Sequence, residues 1–163
     1  MSESLIEYTI IIEGEPIPKA RHRTAHKDKN GNALPYVIFY DTQKEKKKAY
    51  REAAFQYLST NYPSRLFSFE NCPLAMGVTY IMPVRKSWPK HKIRDLRRGM
   101  MFYHYKKPDL DNLIKFTKDA LEGLCYKNDS QISIMDPPPL KIYGFEARTI
   151  IKIRTLPEFE DYT

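Results

Sequence analysis

Cysteine is scarce: Cys72 and Cys125 are the only two in 163 residues, with no C-x-x-C spacing. That excludes a disulfide framework and a structural zinc site, and a reducing cytoplasm fits. No charged-then-apolar leader opens the chain and no run of eighteen apolar residues occurs, so neither secretion nor membrane insertion is expected. Internal repeats and low-complexity segments are missing as well. What is present is 42% hydrophobic and 29% charged residues, the signature of a globular chain, with a net charge of +7 and a pI near 9.3 that point to a polyanionic partner. One domain over residues 1–156, followed by a frayed acidic tail at 157–163, fits the length.

Carboxylates, a lysine and helix-start chemistry concentrate in KPDLDNLIKFTKDALEG, residues 107–123, and in the turn KNDSQI, residues 127–132. Pro108 suits a first helical turn, and Asp109, Asp111 and Asn112 are capping residues. Leu110, Leu113, Ile114, Thr117, Ala120, Leu121 and Leu124 repeat at three- and four-residue spacing, which predicts a helix from about Asp111 to Glu122 with one apolar face. Asp111, Lys115, Lys118 and Glu122 share its other side, and Gly123 suits a left-handed C-cap. Such a helix is about 18 Å long at 1.5 Å per residue. An extended return to Asp129 spans about 20 Å at most, enough to bring Asp129 beside Asp109 and Asp111.

Three converging carboxylates need a cation, and hard divalent ions take one or two carboxylates with waters and substrate phosphate. Lys115, one turn on, then faces a bound phosphate. Simple capping is the competing reading for D-x-D-N ahead of an apolar run. It needs one acid, and it explains neither the second aspartate, nor the lysine, nor the Asn128-Asp129 turn leading through Gln131 into a strand.

This motif pair, KPDLDNLIKFTKDALEG with NDSQI, resembles the RusA-type Holliday junction resolvases, many of them encoded by phages and prophages. The resemblance extends more loosely over most of the chain. It implies that Asp109, Asp111 and Asp129 are metal-binding catalytic acids, that Lys115 is also needed, and that Mg²⁺, or Mn²⁺ in its place, is the cofactor. The family commonly has two aspartates in the turn before the glutamine; Asn128 stands at the first, so the catalytic role passes to Asp129. It also implies a homodimer cutting branched DNA symmetrically. A two-fold dimer also matches the two equivalent strands of a four-way junction. Charge and spacing alone stop at a metal-dependent nuclease. A flap or replication-fork nuclease of the same chemistry, and a non-catalytic basic DNA-binding module, remain the alternatives.

Two basic stretches are the candidate DNA grip. The first, residues 16–31, reads as a mobile loop carrying Lys19, Arg21 and Arg23, and resembles the P-x-P-K-x-R-P-R-like stretch of phage members, with His22 in place of the second proline. His22 and His26 at i and i+4 suit phosphate contact or loop surface better than a metal in so breaker-rich a segment. The second, residues 83–99, sets seven Lys or Arg residues, among them Lys90, Lys92, Arg94, Arg97 and Arg98, against the single acid Asp95. Trp88 within it either stacks on a base or packs in a core.

The fold expected is α+β, a mixed sheet of about five strands with two main helices packed on it. A central first strand is predicted over residues 6–12. A helix follows from a Thr42–Glu45 capping box to before Pro63, its lysine-rich first half either a solvated face or a DNA contact. Strands are expected at 74–82, broken or bulged at Gly77, at 101–105, delivering Asp109, and at 131–135 and 142–153, the last two forming a hairpin across Pro137–Pro139.

Overall fold

Alternation of buried and half-exposed residues in Glu7–Glu13 (β1) and Arg148–Thr155 (β7) marks two antiparallel strands that show one face to the core. Leu74–Pro83 (β4) is buried at seven of its ten residues and exposed at none, as a central strand is. A computed structural model describes residues 6–21, 23–63 and 67–158 and arranges them as a single α+β domain. Its main sheet is mixed and five-stranded, ordered β1-β7-β4, with Ile132–Met135 (β5) and Leu140–Gly144 (β6) both parallel to β4 along its other edge. Arg23–Lys27 (β2) and Ala33–Tyr40 (β3) form a separate antiparallel ribbon.

Two long helices, Lys44–Asn61 (α1) and Leu110–Leu121 (α3), pack side by side on one face of the sheet. The ring of Tyr50 from α1 meets Phe116 of α3 edge to face at 5.4 Å, and the Tyr80 hydroxyl of β4 bonds Thr117 Oγ1 at 2.8 Å. Leu113, Leu121, Leu74, Ile151 and Ile153 have no exposed surface, so truncating one to alanine costs about 2–5 kcal/mol. A third, short helix, Lys90–Arg97 (α2), lies outside this core. None of the helices among the described residues is long and apolar enough to cross a membrane.

Several expectations need correction. β1 is an edge strand, pairing only with β7; its isoleucines are called for by α1 lying over it, not by a central place. Part of the supposed basic loop is strand β2, and its partner β3 was not anticipated. Gly77 is no bulge: β4 runs through it in register with Lys152, and a Cβ there would sit 2.3 Å from Pro137 Cδ, so the glycine makes room for the proline run. Residues 101–105 make a single bridge, Tyr103 to Ile142, rather than a strand. Residues 142–153 divide into β6 and β7, and β5 pairs with neither: β5 and β6 both run parallel to β4 on one edge while β7 lies on the other, so the hairpin expected across Pro137–Pro139 does not form. No Thr42 capping box forms. Gln43 holds the N-cap position of α1 while its buried side chain binds Pro18 O and the Ala20 N–H. The tail beyond Glu158 lies outside the described residues.

Candidate active site on the third helix

Helix α3 begins where expected, with Asp109 at the N-cap in an extended conformation (φ −70°, ψ 142°), but its side chain makes no capping hydrogen bond. The aspartate that a capping role would consume therefore keeps an exposed carboxylate free of the helix it opens. Asp111, in the first turn, is also exposed, and its Oδ2 stands 3.4 Å from Lys115 Nζ. Both side chains are about two-thirds exposed, so this i,i+4 pair contributes roughly 0.3–0.5 kcal/mol and opens readily for a ligand. The acids and the lysine thus share one solvent-facing end of the helix.

Asp129 does not return to that end. Gly123, at φ +86°, closes α3 and donates to Tyr126 O at 2.8 Å, while Cys125 N bonds Leu121 O at 3.0 Å, so the chain reverses within a few residues and never spans the helix length. Buried Tyr126 then locks the turn by donating to Lys118 O at 2.6 Å. The Asn128 side chain accepts from the Ser130 N–H at 2.9 Å, and Gln131 Oε1 accepts from the Lys127 and Asn128 N–H groups, a reciprocal cap that opens the single helical turn Asp129–Gln131. Gln131 also donates to Phe69 O and Cys72 O, which fixes the turn to the body. Asn128 is consumed by this cap, whereas the Asp129 carboxylate is aimed elsewhere.

Its neighbours are Asp119 and Glu122. Ligand oxygens of these three half-buried acids lie within 4.8 Å of one another, the one such acidic group among the described residues. Asp111 precedes Asp119 by eight residues, about 12 Å along the helix axis. The acidic group already has cations beside it: the Lys19 ammonium is ion-paired with Asp119, and Lys47 lies 3.8 Å from Asp119 and 2.6 Å from Asp41. Burial is the largest influence on Lys19 and opposes its charge, yet the hydrogen bond to Asp119, the contact with Lys47 and the charges of Asp119 and Asp41 together outweigh it and raise its pKa; the Lys47 ammonium holds Asp41 below the usual carboxylate value. The Tyr126 hydroxyl is pushed up first by burial and further by Cys125 and the three carboxylates. Asp119 carried no signal in the sequence, because only the turn at 122–126 brings Asp129 to it.

Of the residues expected to grip DNA, Lys19 is committed to Asp119, whereas Arg21 and Arg23 are exposed at the entry to β2. His22 lies outside the described residues. Lys90, Lys92, Arg94, Arg97 and Arg98 are all exposed on or just after α2, and four of them, with Ile93, line a depression of about 510 Å³. An aromatic floor holds this helix to the sheet: Trp88 packs edge-on against Tyr143 at 4.6 Å and Phe102 at 5.4 Å. Lys92 Nζ lies 5.5 Å from the Trp88 ring and the Arg97 guanidinium 5.8 Å from that of Phe145. Trp88 is thus a packing residue. Within the lysine run of α1, Lys47 pairs with acids and Arg51 Nε bonds Ala120 O at 3.0 Å, leaving Lys44, Lys46 and Lys48 exposed.

Fold and site together describe a basic α+β protein with exposed carboxylates at a helix start and exposed cations at the entry to β2 and on α2. Residues 13–154 match the endodeoxyribonuclease RusA family, and the chain belongs to that family. Membership implies endodeoxyribonuclease activity, directed at branched DNA. The chain is also 31% identical over 151 residues to the uncharacterized protein YqaN of Bacillus subtilis (strain 168), a match covering 91% of this chain and 95% of the relative.

Proposed function

We propose that the protein is a Mg²⁺- or Mn²⁺-dependent resolvase that hydrolyses one phosphodiester in each of two opposed strands of a four-way DNA junction, acting as a homodimer. The observation that carries the reading is the uncommitted Asp109 carboxylate at the N-cap of α3, beside the exposed Asp111 and Lys115. The donor set suits the ion, since Mg²⁺ is usually held by one or two carboxylates together with waters and substrate phosphate. Asp109 and Asp111 would hold it, together with waters and substrate phosphate; Asp129, held beside Asp119 and Glu122 at the far end of α3, is not placed to join them. When bound, the ion supplies a water acidic enough to serve as nucleophile and offsets charge on the leaving 3′ oxygen.

Lys115, released from Asp111, neutralises charge on the scissile phosphate. The helix N-terminus favours the same negative charge by about 0.3–1 kcal/mol. Arg21 and Arg23 and the cations of α2 bind duplex phosphates and orient the arms without taking part in bond cleavage. A two-fold dimer offers each of the two equivalent strands its own site.

The test is a synthetic mobile four-way junction incubated with protein and Mg²⁺, beside a linear duplex and a flap of the same sequence. Paired symmetric nicks in the junction alone are expected, and Asp109→Asn or Asp111→Asn protein should bind the junction as well or better yet cut it at least about 100-fold more slowly, beyond the usual cost of losing a residue that supports a metal ligand. Undiminished Mg²⁺-dependent cutting by Asp111→Asn would sink the assignment. Preferred cutting of the flap would replace the substrate, and binding without any cutting would leave only a DNA-binding module.

A further inference from the structure

The segment that delivers Asp109 runs along β6, and one β6 side chain reaches back to hold it. Lys141, half-buried, is fixed at its backbone from both sides: it stands opposite Tyr80 in the parallel pairing with β4, and its carbonyl accepts from the His104 N–H at 2.9 Å. Its ammonium donates to Lys106 O at 2.7 Å and to Pro108 O at 2.6 Å. Pro108 O belongs to the peptide plane whose nitrogen is that of Asp109, so fixing that oxygen fixes the direction in which the Asp109 Cα leaves the loop.

The need for such a hold is visible nearby. Residues 101–105 contribute one bridge rather than a strand, Tyr105 is 83% exposed, and the Asp109 side chain has no bond to its own helix. The regular hydrogen bonding of α3 reaches back only to Asp109 O, which accepts from Leu113 N at 3.2 Å. A lysine is suited to the task because its ammonium carries three donors, enough for two converging carbonyls. Charge-assisted bonds of this length are about twice as strong as neutral ones.

We propose that Lys141 is a positioning residue of the nuclease site: it clamps the Lys106 and Pro108 carbonyls and thereby aims the Asp109 carboxylate at the metal. The proposal rests on the reading of Asp109 as a metal ligand. Lys141 acts only through the backbone ahead of Asp109 and does not touch the scissile phosphate.

The experiment compares Lys141→Met, which keeps the apolar stem without a donor, Lys141→Gln, whose shorter amide cannot span both carbonyls, Lys141→Arg, which restores charge and several donors, and Asp109→Asn. Thermal unfolding, the Mg²⁺ concentration for half-maximal junction cleavage, and Mn²⁺ binding to the protein alone by electron paramagnetic resonance are measured for each. Expected for the Met and Gln variants is a 10–100-fold weaker Mn²⁺ affinity and a matching rise in the Mg²⁺ requirement. Junction binding without metal should be unchanged, activity should recover at high Mg²⁺, and Lys141→Arg should lie near the parent. Lost Mn²⁺ binding in Asp109→Asn with parental metal dependence in Lys141→Met and Lys141→Gln overturns the role of Lys141 alone. Parental Mn²⁺ binding by Asp109→Asn overturns the ligand assignment and the clamp's purpose with it. Activity lost by Lys141→Met only in proportion to lowered thermal stability, and not recovered by added Mg²⁺, assigns Lys141 to the fold and also overturns the proposal.

Discussion

The two ends of α3 carry acids under opposite conditions. At its start, Asp109 and Asp111 are exposed, the first without a side-chain bond to its helix and the second in a loose pair with Lys115. At its finish, Asp119 and Glu122 are half-buried, joined by Asp129, and faced by Lys19 and Lys47. The tighter cluster looks more like a metal site by distance alone, yet its charge is already partly offset by lysines. The looser pair is compensated only by the exposed Lys115 and is open to solvent, so a cation and a phosphate have somewhere to go. Closeness among carboxylates measures how well the fold has neutralised them as much as how ready they are for a metal.

Breaking the comparison most directly means changing acids at both ends. If chemistry sits at the start of α3, Asp109→Asn and Asp111→Asn should slow junction cleavage about 100-fold or more, while Asp119→Asn, Glu122→Gln and Asp129→Asn stay within several-fold of the parent. Equal losses in the last three, accompanied by lost Mn²⁺ binding, would move the metal to the finish of the helix.

A smaller effect is expected from the grip. Replacing Arg94, Arg97 and Arg98 together by alanine should flatten the dependence of log affinity on log salt by about two to three units, with little change in cleavage at saturating protein. A slope equal to the parent's would mean that α2 is a solvated helix and that DNA lies elsewhere.

Asn128→Ala sharpens the distinction between the two turn residues. Losing its cap over Ser130 should lower stability by about 1 kcal/mol while most cleavage survives. Cleavage lost as fully as in Asp111→Asn, with folded protein, would give Asn128 a catalytic share.

The mildest change concerns the lysines at the helix finish. Because Lys47 depresses the pKa of Asp41, their pairing stabilises the fold above the ordinary carboxylate value of 3.8 and stops doing so as pH falls through the lowered one. With both side chains partly exposed the contribution is at most about 1 kcal/mol. Thermal melts of Lys47→Met and parent should therefore differ slightly at pH 7 and converge in acid; a gap that persists at pH 2 would trace to lost packing of the lysine stem.

Local pattern carried far in some places and failed in identifiable ones. The apolar spacing from Leu110 to Leu121 and the glycine at 123 are local facts, and α3 begins and ends within a residue of expectation. Runs rich in isoleucine were ambiguous, because a strand covered by a helix on one face and a central strand draw on the same residues; β1 was read as the second and is the first. The ribbon strand β3, whose Tyr36, Val37, Ile38, Phe39 and Tyr40 are all exposed, shows neither alternation nor a buried face, so the pattern that usually betrays a strand is missing.

By itself the sequence determined the class of fold, the basic charge, the helix that opens with Asp109 and the family motif, because each rests on residues within a few positions of one another. Tertiary structure alone decided which groups meet across the chain. It placed Asp129 with Asp119 and Glu122 through a turn too tight to be read from its length, committed Lys19 to Asp119 a hundred residues away, and brought the Lys141 ammonium onto the carbonyls ahead of Asp109. Such encounters are set by strand order and by the packing of α3 on β4 and β7, where β4 separates β6 from β7, and no local periodicity encodes them.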